Sequence, residues 1–285
     1  MNDFHPSVAL VGPGRAGTTI ALALVAHGAR VVAVAGRAPD AASTREAAAC
    51  LDADPVLVSH AGRGADLVVL AVPDDAITEV AVALAPSLEP GALLVHLAGS
   101  QGIDVFAPVT ASRPDVRVGA LHPLQTFPSA SAGLERLPGA WAAVAGDDEV
   151  ARIAERIGLH PFPLADDARA RYHAAASVAS NHLVALLGQV DRLATTCGVP
   201  FAAFVPLIRA SVDNALDLGP EAALTGPVAR GDLATIAAHL AALDPTDRDA
   251  YRAMAREAAR LAGRRDTAID RLLDDLRHAD PGTPR

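Results

Sequence analysis

Residues 7–17 read SVALVGPGRAG, and this segment sets the architecture of the first half of the chain. Its opening residues, through Val11, form a continuous apolar run, and a helical pattern follows from Arg15 to His27 before a glycine ends it. This order predicts a strand, a tight turn and a helix. Because the strand shows no polar alternation, it is typical of a strand buried on both faces of a parallel sheet.

The glycines in this segment, Gly12, Gly14 and Gly17, have the spacing GxGxxG directly after a strand and at the start of a helix. In a dinucleotide-binding loop the first glycine permits the turn, the second lets the pyrophosphate approach the backbone, and the third lets helix and strand pack closely. The helix N-terminus, with Arg15 and Ala16, faces the anion. The sequence therefore predicts that these five residues bind a dinucleotide; the alternative is a glycine-rich turn without a ligand.

Strands and helices alternate through the first half of the chain. Further apolar runs that predict strands lie at 30–35, 56–59, 66–72, 92–97, 116–121, 141–145 and 161–164, with helices predicted at 39–51 and 148–157. This pattern predicts an α/β Rossmann domain with a doubly wound, mostly parallel sheet.

The second half carries no strand candidate. One long helix is predicted over 166–197, followed by helices at 201–218, 233–243, 246–262 and 266–278, and by a frayed tail at 281–285. The predicted organisation is an α/β domain at 1–165 followed by an all-α domain at 166–285 that binds substrate and forms a dimer.

Composition excludes several functions. All 24 basic residues are arginine, so no lysine can act as a Schiff base, a phosphate ligand or a general acid. The net charge of -9 and the 3% aromatic content argue against nucleic-acid binding. Cys50 and Cys197 have no metal or disulfide spacing. We therefore expect a cytoplasmic protein with no signal peptide, membrane span or metal site.

The end of the second strand indicates which dinucleotide binds. An NAD-binding protein places Asp or Glu there, whereas this chain has Gly36 and Arg37. A guanidinium suits a 2′-phosphate through charge-assisted hydrogen bonds, so the sequence predicts NADP(H) as the cofactor. The alternative is a solvated surface arginine.

Residues that follow the later strands are the next candidates, because ligands lie beyond the carboxyl ends of parallel strands. Those predicted to lie along the cofactor are Val72, Pro73, Ala98, Gly99 and Ser100. After the sixth strand, His122 and Gln125 are predicted to reach the substrate, although a structural role is an equal alternative for His122. A structural role is favoured for His96.

The first long helix of the second half carries a polar stripe. His173, Ser177 and Asn181 stand at i, i+4 and i+8 among alanines and valines, so they share one helix face. We predict that this face is catalytic; a solvated polar stripe is the alternative.

A loop at 224–232 joins two later helices. Asp232 is predicted to cap the second of them, and Arg230 to bind an anionic substrate, because such a substrate needs a local cation in an acidic protein.

The motifs together identify a resemblance. The glycine loop, AVPDDAI, HLAGS, HPLQTF, YHAAASVASNHL and LTGPVARGD resemble a bacterial group of Rossmann-like proteins with an all-helical C-terminal domain of formerly unknown function. The group is similar in architecture to ketopantoate reductases, pyrroline-5-carboxylate reductases and β-hydroxyacid dehydrogenases. The resemblance implies an NADPH-dependent reductase of a small carboxylated ketone, with 2-dehydropantoate (ketopantoate) as one candidate substrate.

The same resemblance suggests the roles of the helix residues. Ketone-reducing relatives carry a proton-donating lysine on the first long helix and an asparagine one turn later. Here His173 takes the place of the lysine, and Ser177 or Asn181 that of the asparagine. Two alternatives remain, a cyclic imine reductase, in which the nitrogen is already protonated, and a non-catalytic NADP-binding protein. A homodimer through the helical domain is expected in each case.

Overall fold

The computed structural model describes residues 5–264 and 267–275 of the chain. In this part of the chain eight strands form one sheet with the order β3-β2-β1-β4-β5-β6-β7-β8. The strands are β1 Ser7–Val11, β2 Arg30–Ala35, β3 Asp54–Pro55, β4 Leu67–Leu70, β5 Leu93–His96, β6 Arg117–Pro123, β7 Trp141–Gly146 and β8 His160–Pro163. All neighbouring strands are parallel except the antiparallel pair β6 and β7, which confirms a doubly wound, mostly parallel sheet.

Helices connect the strands and make up the rest of the chain. In the α/β part they are α1 Arg15–Ala26, α2 Ala42–Cys50, α3 Ile77–Leu84, α4 Ala107–Ser112, α5 Ala130–Arg136 and α6 Glu149–Arg156. The later helices are α7 Arg169–Ser177, α8 Leu183–Thr196, α9 Val205–Leu218, α10 Pro220–Ala223, α11 Pro227–Arg230, α12 Leu233–Ala242, α13 Pro245–Leu261 and α14 Thr267–Asp275. No helix among the described residues is both long and apolar enough to cross a membrane.

Two apolar clusters cover the two faces of the sheet. One contains Leu10, Ile20 and Leu24 of β1 and α1, and the other contains Val68 of β4 and Leu84 of α3. The strands are buried on both sides for this reason, as their uninterrupted apolar runs predicted. This rigid layer fixes where the loops at the carboxyl ends of the strands can lie.

The predicted strand at 56–59 is wrong. Strand β3 is only two residues long and pairs with β2. The next residue, Val56, donates one more backbone hydrogen bond to the Val34 carbonyl oxygen. The chain then turns through a short 3-10 segment at Val58–His60. Val56 and Val58 pack against the apolar cluster from this turn, so their hydrophobicity reflects burial without strand pairing.

The single helix predicted over 166–197 is interrupted. A 3-10 turn precedes α7, and a π-helical segment, Val178–His182, separates α7 from α8. A π segment adds a residue to the turn and is frequent at functional sites. It carries Ser180 and Asn181, and thus changes which side chains follow Ser177 along the helix face.

The chain forms two compact units, and the first ends at His182 and the second begins at Leu183. The predicted domain boundary was near residue 165. The second unit is helical, and its core includes Val228, Ile236 and Leu240. Asp232 caps α12 as predicted, because its side chain accepts a hydrogen bond from the Thr235 backbone N–H. The predicted tail at 281–285, and the predicted end of the last helix after Asp275, lie outside the described residues.

Candidate active site

The glycine loop has the geometry of a dinucleotide cradle. Gly12 has a φ of +93°, and a Cβ there would lie 2.5 Å from the Ala71 carbonyl oxygen. A Cβ at Gly17 would lie 2.5 Å from the Gly12 carbonyl oxygen. At Gly14, by contrast, a Cβ would meet no described atom within 4 Å. Two glycines are therefore required by packing, and Gly14 leaves open space in front of the N-terminus of α1, where an anion can approach the backbone.

The end of β2 is closed to an acidic side chain. A Cβ at Gly36 would collide with the Thr44 hydroxyl and lie 3.3 Å from Pro13. The next residue, Arg37, is exposed, and within the described chain its guanidinium has neither a hydrogen bond nor an ion pair. The position thus lacks the carboxylate that would bind ribose hydroxyls and presents an exposed cation instead.

The segments that follow β4 and β5 contact each other. Ser100, after β5, donates a hydrogen bond from its hydroxyl to the carboxylate of Asp74, after β4. This contact joins the two loops that carry Val72, Pro73, Ala98 and Gly99, which are predicted to lie along the cofactor.

His96, at the end of β5, is fully buried and has a partner on each ring nitrogen. Its Nε2 lies 3.1 Å from the Gly102 carbonyl oxygen, and its Nδ1 accepts a hydrogen bond of 3.2 Å from the Ala98 N–H. Burial lowers the pKa of His96 to about 4, so the ring is neutral near pH 7. The structural role favoured for His96 is confirmed.

A cavity of about 590 Å³ lies beside the carboxyl end of β6 and along α7. Its size is that of a small-molecule site. The side chains that line it are His122, Leu124, Gln125, Thr126, Tyr172, His173, Ala175, Ala176, Ser177, Ala179, Ser180 and Asn181. The structure therefore brings together five of the predicted site residues, namely His122, Gln125, His173, Ser177 and Asn181. No Asp or Glu occurs among these described lining residues, which suits an anionic ligand.

His122 occupies the centre of this group. Its Nδ1 lies 2.7 Å from the hydroxyl of Tyr172, and its ring meets that of His173 edge-to-face at 5.7 Å. Burial lowers the pKa of His122 to about 4, and the charges of His173 and Arg169 act in the same direction. His122 is consequently uncharged near neutral pH and carries one ring N–H.

Gly99 links the cavity with the predicted cofactor loops. A Cβ at this position would lie 2.6 Å from Cδ2 of His173 and 2.7 Å from Nε2 of His122. A side chain here would displace both rings. Gly99 therefore allows the histidines to lie against the backbone that follows β5, where the reactive part of a bound dinucleotide is expected.

Arg169, the first residue of α7, is fully buried. Its Nε donates a 3.0 Å hydrogen bond to Asp166, whose side chain is 42% exposed. The other two nitrogens, Nη1 and Nη2, are buried and have no hydrogen-bond partner in the described part of the chain. Since a buried charge is costly unless it is paired, this guanidinium is an unusual feature.

One predicted substrate-binding residue, Arg230, lies in the second unit. Arg230 is exposed at the end of α11. The pKa of Asp232 is lowered chiefly by its hydrogen bonds with Thr235, and the charge of Arg230 contributes to the same shift. The role of Arg230 in substrate binding stays a prediction.

Three site residues were missed by sequence reasoning. Tyr172 stands next to His173 in the quoted motif, but a helical wheel places adjacent residues on different faces. Ser180 lines the cavity because it belongs to the π segment, and no sequence pattern predicted that segment. For Arg169, the only available signal was its position at the start of the helix, where an arginine opposes the helix dipole.

Comparison with known proteins identifies the domains. The model of a Rossmann-like domain matches residues 2–123, and that of a domain of unknown function, DUF2520, matches residues 142–258. A search of curated protein sequences finds no significant match. The chain thus combines a Rossmann-like N-terminal domain with a C-terminal DUF2520 domain.

Solved structures share the whole architecture. A presumed NADP oxidoreductase from Bacteroides fragilis matches with a TM-score of 0.76 and 25% identity, over 90% of this chain and 98% of its own. A protein from Thermotoga maritima matches with a TM-score of 0.68 and 24% identity, over 90% of this chain and 98% of its own. A pyrroline carboxylate reductase from Plasmodium falciparum, with NADP bound, matches with a TM-score of 0.57 and 12% identity, over 91% of this chain and 99% of its own. The chain has the fold of NAD(P)-dependent oxidoreductases, and the similarity in architecture to pyrroline-5-carboxylate reductases is confirmed at the level of the fold.

Proposed function

We propose that the protein is an NADPH-dependent reductase of a small carboxylated ketone, with 2-dehydropantoate as the first candidate. The observation that carries this proposal is the cavity beside Gly99, in which hydrogen-bonding side chains converge from β6 and α7. A ketone requires a proton when it is reduced, and His122, Tyr172 and His173 lie together in this cavity. The absence of acidic residues among its described lining residues favours a substrate with a carboxylate.

The residues present fit NADPH. The open space at Gly14, in front of α1, suits the pyrophosphate, and Arg37, which has no partner among the described residues, suits the 2′-phosphate. When bound, the cofactor supplies a hydride. The protein's own residues bind the phosphates, exclude water from the cavity and hold the substrate through Ser177 and Asn181, while a neighbouring side chain supplies the proton.

The function can be tested with purified protein and a panel of small 2-oxo acids and cyclic imines, by following NADPH absorbance. We expect turnover of at least one oxo acid. Turnover of imines alone would favour the alternative, an imine reductase, which the likeness to a pyrroline carboxylate reductase supports at the level of fold. NADPH binding without any turnover would favour the non-catalytic alternative.

Arg37→Ala is expected to remove most of the preference for NADPH over NADH. A charge-assisted contact contributes about 1.5 to 3 kcal/mol, which corresponds to roughly a 10- to 150-fold difference in affinity. Fluorescence titration with both cofactors measures it. Arg30→Ala is the matched control, because Arg30 is also exposed but stands at the opposite end of β2. Equal affinities of the unmodified protein for NADPH and NADH would contradict the assignment.

We also propose that a second copy of the chain covers helix α9. None of its residues, all of which are described, is buried, and Leu207 and Leu216 are 64% and 78% exposed. Such apolar exposure is typical of an interface. The helix carries both signs of charge, and an antiparallel pair centred on Ser211 would place Arg209 of each copy across from Asp213 of the other.

Light scattering is expected to give about twice the chain mass of 29.1 kDa. Leu216→Glu should shift the protein to the monomer, because it places a charge in the apolar interface. Leu57→Glu, at an exposed apolar residue of the α/β unit, should leave the mass unchanged. A monomeric parent protein would rule out this interface.

A further inference from the structure

We propose that Tyr172 is the proton donor of this site, oriented by His122 and assisted by the buried charge of Arg169. The inference rests on the proposed ketone reduction and replaces His173 as the predicted acid. Tyr172 lines the cavity, and its ring packs edge-to-face against Phe162 at 5.8 Å. The phenol is thus held by an aromatic ring and by the 2.7 Å contact of its hydroxyl with Nδ1 of His122.

His122 is suited to orient the phenol and unsuited to replace it. A pKa of about 4 leaves its ring uncharged at neutral pH, so it has no second proton to donate. When the single ring hydrogen is on Nδ1, that N–H donates to the phenolic oxygen of Tyr172. The phenolic O–H is then free to donate to a substrate oxygen in the cavity.

Arg169 supplies the positive charge. It stands three residues before Tyr172, so the two side chains share one face of α7. Its only described partner, Asp166, is partly solvated, and Nη1 and Nη2 remain unpaired among the described residues. The field of this incompletely neutralised guanidinium favours a phenolate. Burial has the larger effect and raises the pKa of Tyr172, and the charge of Arg169 opposes that rise.

His173 lacks such support. It lines the cavity and contacts the ring of His122, but no hydrogen bond to another described residue fixes it. We assign it to hydrogen bonding with the substrate. Two further titratable groups affect the pKa of His122, the partner of Tyr172. The charge of Asp74 raises this pKa and that of His96 lowers it.

The proposed proton transfer balances with hydride transfer. As the hydride arrives at the carbonyl carbon with its electron pair, the C=O π electrons move to the oxygen. The O–H bond of Tyr172 breaks, its proton forms the alcohol O–H, and its electrons remain on the phenolate oxygen, which accepts a hydrogen bond from the N–H of His122. An alkoxide is more basic than a phenolate, so the transfer is favourable. A proton from solvent then restores the hydroxyl of Tyr172. Reduction of each ketone therefore consumes one NADPH and one proton.

Tyr172→Phe tests the proposal on a ketone that the panel identifies. We expect kcat to fall by roughly a hundredfold to ten-thousandfold, with little change in NADPH affinity. The control is Tyr251→Phe in the helical unit. Tyr251 also bonds to a histidine, with 2.8 Å to Nδ1 of His239 and rings 5.7 Å apart, so the same O–H is removed from a similar pair elsewhere. That variant should keep the parent's kcat.

The pH profile separates the two candidate donors. With Tyr172 as the acid, kcat/KM should be flat from about pH 6.5 to 9 and fall only at higher pH, because the phenol keeps its proton throughout this range. A histidine donor would lose activity as the pH rises through neutrality. A profile of that kind, abolished by His173→Ala, would overturn the proposal and leave the reductase function intact.

A second readout needs no substrate. The chain has two tyrosines, so in Tyr251→Phe protein the near-ultraviolet absorbance of tyrosinate reports Tyr172 alone. Adding Arg169→Met should raise the apparent pKa of Tyr172, with circular dichroism to verify the fold. An unchanged pKa would overturn the role of Arg169, and full activity in Tyr172→Phe would overturn the donor itself. A protein that binds NADPH but reduces no oxo acid or imine would overturn this inference and the proposed function together.

Discussion

Gly12→Ala is expected to destabilise the protein by about 3 kcal/mol, and Gly14→Ala to leave it folded but defective in NADPH binding. At Gly12 the positive φ alone costs a non-glycine residue about 1 to 2 kcal/mol. The new methyl group would also lie 2.5 Å from the Ala71 carbonyl oxygen. Because that atom belongs to the backbone, it cannot move aside cheaply, and overpacking adds about 1 to 3 kcal/mol.

Gly14 provides the matched control within the same loop. Its φ of -81° and ψ of -178° are accessible to alanine, and the methyl group would meet no described atom within 4 Å. Alanine should therefore change the stability of the cofactor-free protein by less than about 1 kcal/mol, because the gain through the unfolded state is offset by the poorer cap that alanine makes at this N-cap position. The same methyl group would stand where the pyrophosphate approaches the helix N-terminus, so NADPH affinity should fall by at least about tenfold.

Urea denaturation with and without NADPH measures both effects. NADPH at a hundred times its dissociation constant should stabilise the parent protein by about 2.7 kcal/mol, and Gly14→Ala should lose about half of this increment or more at the same concentration. If Gly12→Ala were as stable as Gly14→Ala, the close approach of Gly12 to Ala71 would be incorrect. Normal NADPH binding by Gly14→Ala would place the pyrophosphate elsewhere.

The glycine loop could be predicted because its determinants are local. A strand, a turn that needs positive φ and a helix N-terminus follow one another within eleven residues, and each has its own sequence signal. The apolar runs of the central strands were equally informative, since burial on both faces leaves few polar residues in them. Val56 and Val58 show the limit of that signal, because an apolar run reports burial but not strand pairing.

The centre of the candidate site could not be derived in the same way. Tyr172 and His122 are fifty residues apart, and only the packing of α7 beside β6 brings the phenol to the imidazole. The π segment is likewise a backbone feature without a composition signal, and it brings Ser180 to the cavity. Arg169 looked like an ordinary helix residue, because sequence predicts neither its complete burial nor the lack of a partner for Nη1 and Nη2 among the residues that the structure describes.

Acid is expected to destabilise the fold well above the pH at which carboxylates titrate, because His96 and His122 are neutral in the native protein. Each has its pKa lowered to about 4, mainly by burial, whereas an unfolded histidine titrates near 6.5. Between these values the unfolded state binds more protons than the native state. The free energy of unfolding therefore decreases as the pH falls from 6.5 to 4, and is unaffected by these two groups above 6.5.

The expected loss is large. At pH 4.5 each histidine costs about 2.5 kcal/mol, so the two together remove about 5 kcal/mol, comparable with the total stability of many domains. Urea denaturation at several pH values should give a slope near two protons in this interval. His122→Phe should reduce this slope by one proton. A slope near zero would mean that both rings ionise in the folded protein, and His122 would then regain a second proton and compete with Tyr172 as the acid.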